Sequence, residues 1–292
     1  MSEIKYQEID LYHYTSLNTL MAITENKTIR LTDHRFLNDT SELSYAVEEL
    51  KNILENHKED PNYENFLYAL NNILNGKKQC MTSSVFKSGE ILITPQIQEV
   101  QFFTLSLSMQ SDSLNMWKMY AEKGCCLKFN SQKLHEYIYS FRDIHFKDGL
   151  TNIIDGEVLY GKQLEMDEAV ISMFLKNYNP SMIYDELLQW CLKRKSEDFS
   201  NEREYRLGFP FNMEMQSEFS DKSSETEKFV FSLINDVIKP QIELKGFPIN
   251  EILEEVIVSP YNSDLSVLGI KEFLVKHDLS NVNVRKSSIS IR

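Results

Sequence analysis

The chain has 292 residues, 42% apolar and 26% charged, the mix expected of a water-soluble globular protein. Its 44 acidic and 31 basic side chains give a formal charge of −13, which argues against broad electrostatic attachment to nucleic acid, since that attachment depends on neutralising phosphates. The first ten residues are polar, no apolar run reaches the roughly 18 residues of a membrane span, and Cys80, Cys125, Cys126 and Cys191 lack the paired spacing of a zinc site. The expectation is a cytoplasmic protein with reduced thiols, no membrane attachment and no bound metal.

Taken in chain order, Ile9 to Tyr14 reads as a short strand, and Ser16 is an N-cap for a helix striped by Leu17, Leu20, Met21 and Ile23. Ile29 to Thr32 is a second strand, followed by a polar loop from Asp33 to Glu42 in which Asp39 or Thr40 caps the next helix. Two helices are expected at about 41–57 and 62–75, the second stopped by Asn75-Gly76. Between 77 and 98 the pattern is ambiguous, with Ile91-Leu92-Ile93 as a short strand. Phe102 to Ser108 alternates apolar and small polar residues, a strand pattern. A helix then runs from about Ser113 to Gly124. Cys125 to Phe129 is a strand expected to pair with 102–108, and Ser131 caps a helix to Phe141. A strand at 157–160, helices at about 163–176 and 180–195, and a strand at 204–210 follow. The tail reads as a polar loop at 214–227, a helix near 226–238, a strand at 256–259, a helix at 264–277, and strands at 282–284 and 288–291. Lys193-Arg194-Lys195, at the end of its helix, is either a local basic cleft or, as the preferred reading, a solvated face.

The strands are short, interleaved with helices and not uniformly aliphatic. That pattern favours an α+β fold with a mixed or split β-sheet over a doubly wound parallel one. Residues 1–292 are read as one domain with helical insertions at about 41–99 and 161–200. Neither standard glycine-rich phosphate loop occurs.

Three polar-aromatic clusters carry the functional signal. In the first, His13 at a strand end can donate to a sugar hydroxyl and Tyr14 can stack on a planar ring; alternatively His13 is a core histidine satisfied by backbone. In the second, Trp117 and Tyr120 share a helix face, either as core or, with Ser106 and Ser108, as a pocket wall. In the third, Glu202, Glu204 and Arg206 alternate onto one side of a strand opening. That side is either an exposed ion-paired edge or a cleft in which Glu204 is a functional carboxylate held by Arg206.

Together these residues resemble a bacterial family described as domain of unknown function 2971. The resemblance rests on Leu11-Tyr12-His13-Tyr14-Thr15-Ser16, Phe36-Leu37-Asn38-Asp39 with Glu42, Ser106-Leu107-Ser108, Met116-Trp117 with Tyr120-Ala121, Gly124-Cys125-Cys126-Leu127, Trp190, Glu202-Arg203-Glu204-Tyr205-Arg206, and Lys286-Ser287-Ser288-Ile289. The layout of these motifs is similar to ADP-ribosyltransferase-like proteins, in which three elements of a split sheet build an NAD site. The resemblance implies NAD as substrate, with no metal. It implies His13, Tyr14, Thr15, Ser106, Ser108, Trp117, Tyr120 and Arg206 as NAD-binding, and Glu204 as catalytic, with Glu202 completing an E-x-E. The middle motif departs from serine-threonine-serine, and the spacing between elements is enlarged. Cleaving the nicotinamide–ribose bond creates an oxocarbenium-like centre, which a carboxylate stabilises. The implied function is therefore an NAD-dependent ADP-ribosyltransferase-like enzyme acting on a macromolecular acceptor, protein or nucleic acid, as a toxin or anti-phage effector, with a protein partner or antitoxin. The rival readings are a non-catalytic sensor or partner-binding subunit, and an RNA-acting nuclease.

Overall fold

The computed structural model describes residues 8–37, 41–85, 91–99, 101–145, 153–177, 180–211, 227–234 and 236–291. It is an α+β protein built on a ten-stranded mixed sheet. The chain opens with β1 (Leu11–Thr15), α1 (Leu17–Asn26) and β2 (Thr28–Asp33). Ser16 caps α1 by accepting from the Thr19 amide at 3.1 Å, and Lys27 ends it in a left-handed conformation.

The centre of the sheet is β5 (Gln101–Ser108). Along one edge it pairs residue for residue with β10 (Glu204–Phe211), which also carries β7 (Ile154–Glu157). The other edge is forked. Thr104 and Phe103 pair with β2, whereas Ser108 pairs with Tyr12 of β1. From β2 one arm continues to β12 (Val237–Lys245) and β11 (Glu227–Ile234); from β1 the other runs to β6 (Cys125–Phe129), β13 (Leu253–Val258) and β14 (Asn283–Lys286). All these pairings are antiparallel except β13 with β14. The register of β10 against β5 depends on Gly208, because a Cβ there would stand 2.2 Å from the Phe103 carbonyl oxygen.

Strand periodicity gives the sheet two different faces. Phe103, Leu105 and Leu107 of β5, with Tyr205, Leu207 and Phe209 of β10, enter the main core beside α1 and α5 (Ser131–His145). The opposite face carries Thr104, Ser106, Ser108, Glu204 and Arg206, set by the cross-strand pairs Glu204–Ser108 and Arg206–Ser106. Over this second face lies a helical layer of α2 (Glu42–Leu54), α3 (Tyr63–Leu74), α6 (Leu164–Lys176) and α7 (Pro180–Leu192), sharing one apolar cluster with Phe102 and Ile154. The two expected helical insertions thus pack together. A third cluster joins Tyr12 and Tyr14 to Met116 and Trp117 of α4 (Leu114–Tyr120). The short α8 (Ile249–Ile252) and α9 (Asp264–Lys276) complete the fold. No helix among the described residues is long and apolar enough to cross a membrane.

Several expectations are corrected. Residues 77–99 form the hairpin β3 (Lys77–Val85) and β4 (Ile91–Glu99), a two-stranded sheet of their own rather than part of a helical insertion. The expected helix at 226–238 is the β11–β12 hairpin. Cys125 to Phe129 does not pair with 102–108, because β1 lies between them. The helix expected to reach Gly124 stops at Tyr120. The cap of α5 is Asn130, whose Oδ1 accepts from the Lys133 amide at 3.0 Å, while Ser131 Oγ accepts from the Ile9 amide. Residues 157–160 divide between β7 and β8 (Leu159–Tyr160). Residues 288–291 form no strand; Ser287 and Ser288 are tied instead to Asp112. Asn38, Asp39 and Thr40 lie outside the described residues, as does the expected loop at 214–227 up to Glu227.

Candidate functional site

Where the β5 edge forks, the sheet's polar face opens into a cavity of about 240 Å³. Its wall includes Tyr12, His13 and Tyr14 of β1, Thr104, Ser106 and Ser108 of β5, and Met116 and Tyr120 of α4. Glu42, Lys195, Glu202, Glu204 and Arg206 form its charged side, and Arg30, Ile234 and Lys239 also line it.

The five charged side chains form one network, each at most 6% exposed as a residue. Lys195 belongs to β9 (Arg194–Lys195), which pairs with β8 after α7 has ended at Leu192. Its Nζ stands 3.0 Å from Glu42 Oε1, 2.5 Å from Glu202 Oε2 and 3.3 Å from Glu204 Oε2, and 4.7 Å from the Phe199 ring centroid. Arg206 donates to both oxygens of Glu204 at 2.8 Å, to the Leu192 carbonyl at 2.6 Å, and meets Glu42 Oε2 at 2.7 Å. This overturns the reading of 193–195 as a solvated helix face: Arg194 and Lys195 are both buried. Arg194 pairs with Asp167, to which Trp190 also donates.

Glu202 is not on the strand. It ends a 3₁₀ turn, Glu197–Glu202, and Arg203, at φ 41°, swings the chain into β10. The left-handed residue brings Glu202 and Glu204 onto the same lysine, where a regular strand would have relied on alternation. Ser108 fixes the turn by donating to the Glu202 carbonyl at 2.7 Å, and Tyr160 accepts from the Glu204 amide at 2.7 Å.

Burial and charge drive the carboxylates apart. Burial alone raises Glu204, but Arg206 and then Lys195 outweigh it and hold the group down at about 2. At Glu42 burial wins over Arg206 and Lys195, and with Glu204 adjacent its carboxyl sits above the usual range. Burial lowers His13, so its imidazole is neutral near pH 7. Its Nδ1 faces the Ser106 carbonyl at 3.4 Å; a carbonyl only accepts, so Nδ1 carries the hydrogen and Nε2 is an acceptor. The expected donor role toward a sugar hydroxyl is thereby reversed.

The sequence-selected residues do not all meet here. His13, Tyr14, Ser106, Ser108, Tyr120, Glu202, Glu204 and Arg206 line the cavity; Thr15 and Trp117 do not. Thr15 pairs in the sheet with Cys125, and Trp117 is fully buried with its indole donating to Asp112 at 2.9 Å. Tyr14 is fixed by donating to the Gln110 carbonyl and accepting from the Ser113 amide. Tyr120 donates to Glu202 at 2.5 Å. Thr104 is 2% exposed and its Oγ1 has no hydrogen-bond partner. Among the lining residues, Tyr12, Glu42 and Thr104 had no site role in the sequence reading, and Lys195 entered it only through the basic triplet. Thr104 was legible, being in phase with Ser106 and Ser108 on an alternating strand. Among the described residues no group of His, Cys, Asp or Glu is placed to hold a metal ion.

No curated protein and no solved structure matches the chain. A family model described as a protein of unknown function (DUF2971) matches residues 116–207, the stretch from Met116 to Leu207 that supplies Tyr120, Lys195, Glu202, Glu204 and Arg206 to the cavity.

Proposed function

We propose that the cavity takes the nicotinamide–ribose end of NAD and that the protein transfers ADP-ribose from it to a macromolecular acceptor, as an ADP-ribosyltransferase-like enzyme. One observation carries this reading: a carboxylate held ionised, Glu204, faces a row of hydroxyl side chains on the adjacent strand, in a cavity walled by tyrosines at the fork of a split sheet. In this reading the hydroxyls of Thr104 and Ser106 and the Nε2 acceptor of His13 hold the ribose hydroxyls, and Tyr12 or Tyr14 lies against the nicotinamide ring. Breaking the C1′–N bond sends its electron pair to nicotinamide and leaves positive charge on the ribose. Glu204, fixed by Arg206 and Lys195, favours that charge without reorganising. The acceptor then bonds to C1′ and loses a proton.

The test is NAD turnover by the purified protein with cell lysate as acceptor, wild type beside Glu204→Gln. The expected outcome is turnover by the wild type and a loss of about 10²–10³-fold in the variant, the scale of losing one stabilising group. Turnover unchanged by Glu204→Gln sinks the assignment.

One observation favours a second reading, a non-catalytic partner-binding subunit. Both oxygens of Glu204 and both of Glu202 are already engaged within the protein, and Phe231, Leu233 and Ile238 on the β11–β12 hairpin are 64–72% exposed. In that case Glu204→Gln lowers the melting temperature and NAD is neither bound nor consumed.

A further inference from the structure

The cavity has a second end, away from the five buried charges. Thr104 of β5 stands opposite Thr32 of β2, and Thr32 stands opposite Gln241 of β12. Gln241 Nε2 donates to Thr32 Oγ1 at 3.0 Å, so the polar face of the sheet continues from the β5 hydroxyls onto this arm of the fork. Lys239 lies two residues along β12 from Gln241 and therefore on the same side of that strand. With Arg30, Phe36, Leu37 and Ile234 it makes this end of the cavity wall. The strand that carries it is two strands from β5, roughly 10 Å across the sheet. A ligand whose ribose rests on the β5 hydroxyls reaches Lys239 with its next group.

The two cations at this end differ in what already holds them. Arg30 shares Glu243 Oε2 between Nε and Nη2, at 2.8 and 2.6 Å, and its Nη1 donates to Ser232 at 3.1 Å. Its charge is matched. Lys239 has no carboxylate partner among the described residues. Its Nζ donates to the Phe36 carbonyl at 2.7 Å. That carbonyl belongs to the turn His34–Phe36, where His34 Nδ1 faces the Phe102 carbonyl at 3.3 Å. An ammonium has three hydrogens to donate, so this contact fixes the lysine in place and leaves two donors and the whole charge unmatched. Around the cavity, Arg30, Lys195, Arg206 and Lys239 stand against Glu42, Glu202 and Glu204. The three carboxylates are all engaged by Lys195 and Arg206 at the other end. A wall with cations in excess, in a chain of formal charge −13, favours an anionic ligand.

We propose that Lys239 is the anion-binding residue of this cavity and takes the diphosphate of the dinucleotide, with Arg30 at its margin. This rests on the reading of the cavity as an NAD site and gives the ligand a direction. The nicotinamide ribose lies toward Glu204, and the adenosine diphosphate half leaves over the arm formed by β2 and β12. The two unused Nζ hydrogens donate to phosphate oxygens as charge-assisted bonds, and no covalent bond is made or broken at this end.

The experiment is calorimetric titration of two unreactive probes, ADP-ribose, which has the diphosphate, and adenosine, which lacks it. Wild type, Lys239→Gln and Lys239→Arg are compared, each with its melting temperature and its NAD turnover. Lys239→Gln keeps a donor for the Phe36 carbonyl and removes the charge. It is expected to weaken ADP-ribose by about 10–100-fold, the scale of one hydrogen bond to a charged group, and to leave adenosine within a few-fold. KM for NAD should rise by a similar factor, with the smaller effect on kcat, while Lys239→Arg keeps most of the affinity. Should the glutamine variant not fold, the wild type decides: ADP-ribose binds more tightly than adenosine and loses that advantage as salt rises. ADP-ribose bound equally by wild type and Lys239→Gln, or no more tightly than adenosine by wild type, overturns the assignment whatever the NAD turnover. ADP-ribose bound through Lys239 without turnover of NAD upholds it and takes down the proposed reaction.

Discussion

Replacing Lys195 by methionine separates a buried organising cation from a solvated lysine more sharply than any other single change. The Nζ contacts three carboxylates. Without it Glu42 and Glu204 still share Arg206, but Glu202 keeps only the Tyr120 hydroxyl. The cost is therefore that of leaving one buried carboxylate unpaired, about 3–5 kcal/mol. At roughly 2–4 °C per kcal/mol for a chain of this order of size, the melting temperature should fall by roughly 6–20 °C. The assay is denaturant and thermal unfolding at pH 7. Adding Glu202→Gln to Lys195→Met should return part of the loss, because the two positions are in contact and their effects do not add. A Lys195→Met protein within about 0.5 kcal/mol of wild type, the usual effect of a surface substitution, would refute the network as described.

Three further outcomes are expected. Glu204 is depressed from 4.5 to about 2, so its contribution is fully present above about pH 4.5 and is lost as pH falls toward 2. The stability difference between wild type and Glu204→Gln should narrow over that window by about 3 kcal/mol. His135 faces the Ser131 carbonyl at 2.6 Å and Asp155 at 3.1 Å; burial lowers it, but these acceptors raise it overall. Its contribution is present below about pH 6.5 and lost as pH rises through the raised value, which an NMR titration of the imidazole and its absence in His135→Gln would check. Asp112 accepts from the Trp117 indole, from both Ser287 and Ser288 hydroxyls and from the Ser288 amide. Asp112→Ala should cost roughly 3 kcal/mol and shift the emission of Trp117, one of only two tryptophans, to the red; unchanged emission would contradict the tether.

Local chemistry made some of this visible in the sequence. Ser16 is the cap that its position before an apolar stripe announces. The alternation Phe103, Leu105, Leu107 against Thr104, Ser106, Ser108 gives β5 and both its faces. The β11–β12 hairpin was hidden because Phe229, Phe231, Leu233, Ile234, Val237 and Ile238 satisfy a helical period as well as an alternating one. The deciding signal was the turn: Asp236 stands at φ 60°, a conformation that aspartate tolerates and a helix forbids. Lys195 was hidden for a related reason. A basic triplet after a helix is ordinarily solvated, and only the end of α7 at Leu192 turns it into a strand that aims a lysine inward. The position of β6 was not legible at all, since its neighbours β1 and β13 are each more than a hundred residues away in the chain.

What distinguishes the cavity from ordinary architecture is the expense of its charges. Taking a carboxylate or an ammonium out of water costs several kcal/mol, which mutual attraction only roughly offsets, and apolar residues of similar volume often do as well. Three carboxylates and two cations at this spot are thus a poor way to fasten α2 to the sheet, which the apolar cluster of Val47, Leu50 and Leu54 with α6 and α7 already does. They come from three separate stretches of chain, α2, β9 and the turn into β10, and only the last two lie within the segment that matches the family model. Glu42, the β1 tyrosines and the β5 hydroxyls are supplied from outside it. A fragment holding residues 116–207 alone therefore carries Glu204 and its two cations but neither the wall of hydroxyls nor Glu42, and the cavity exists only where the whole forked sheet is assembled.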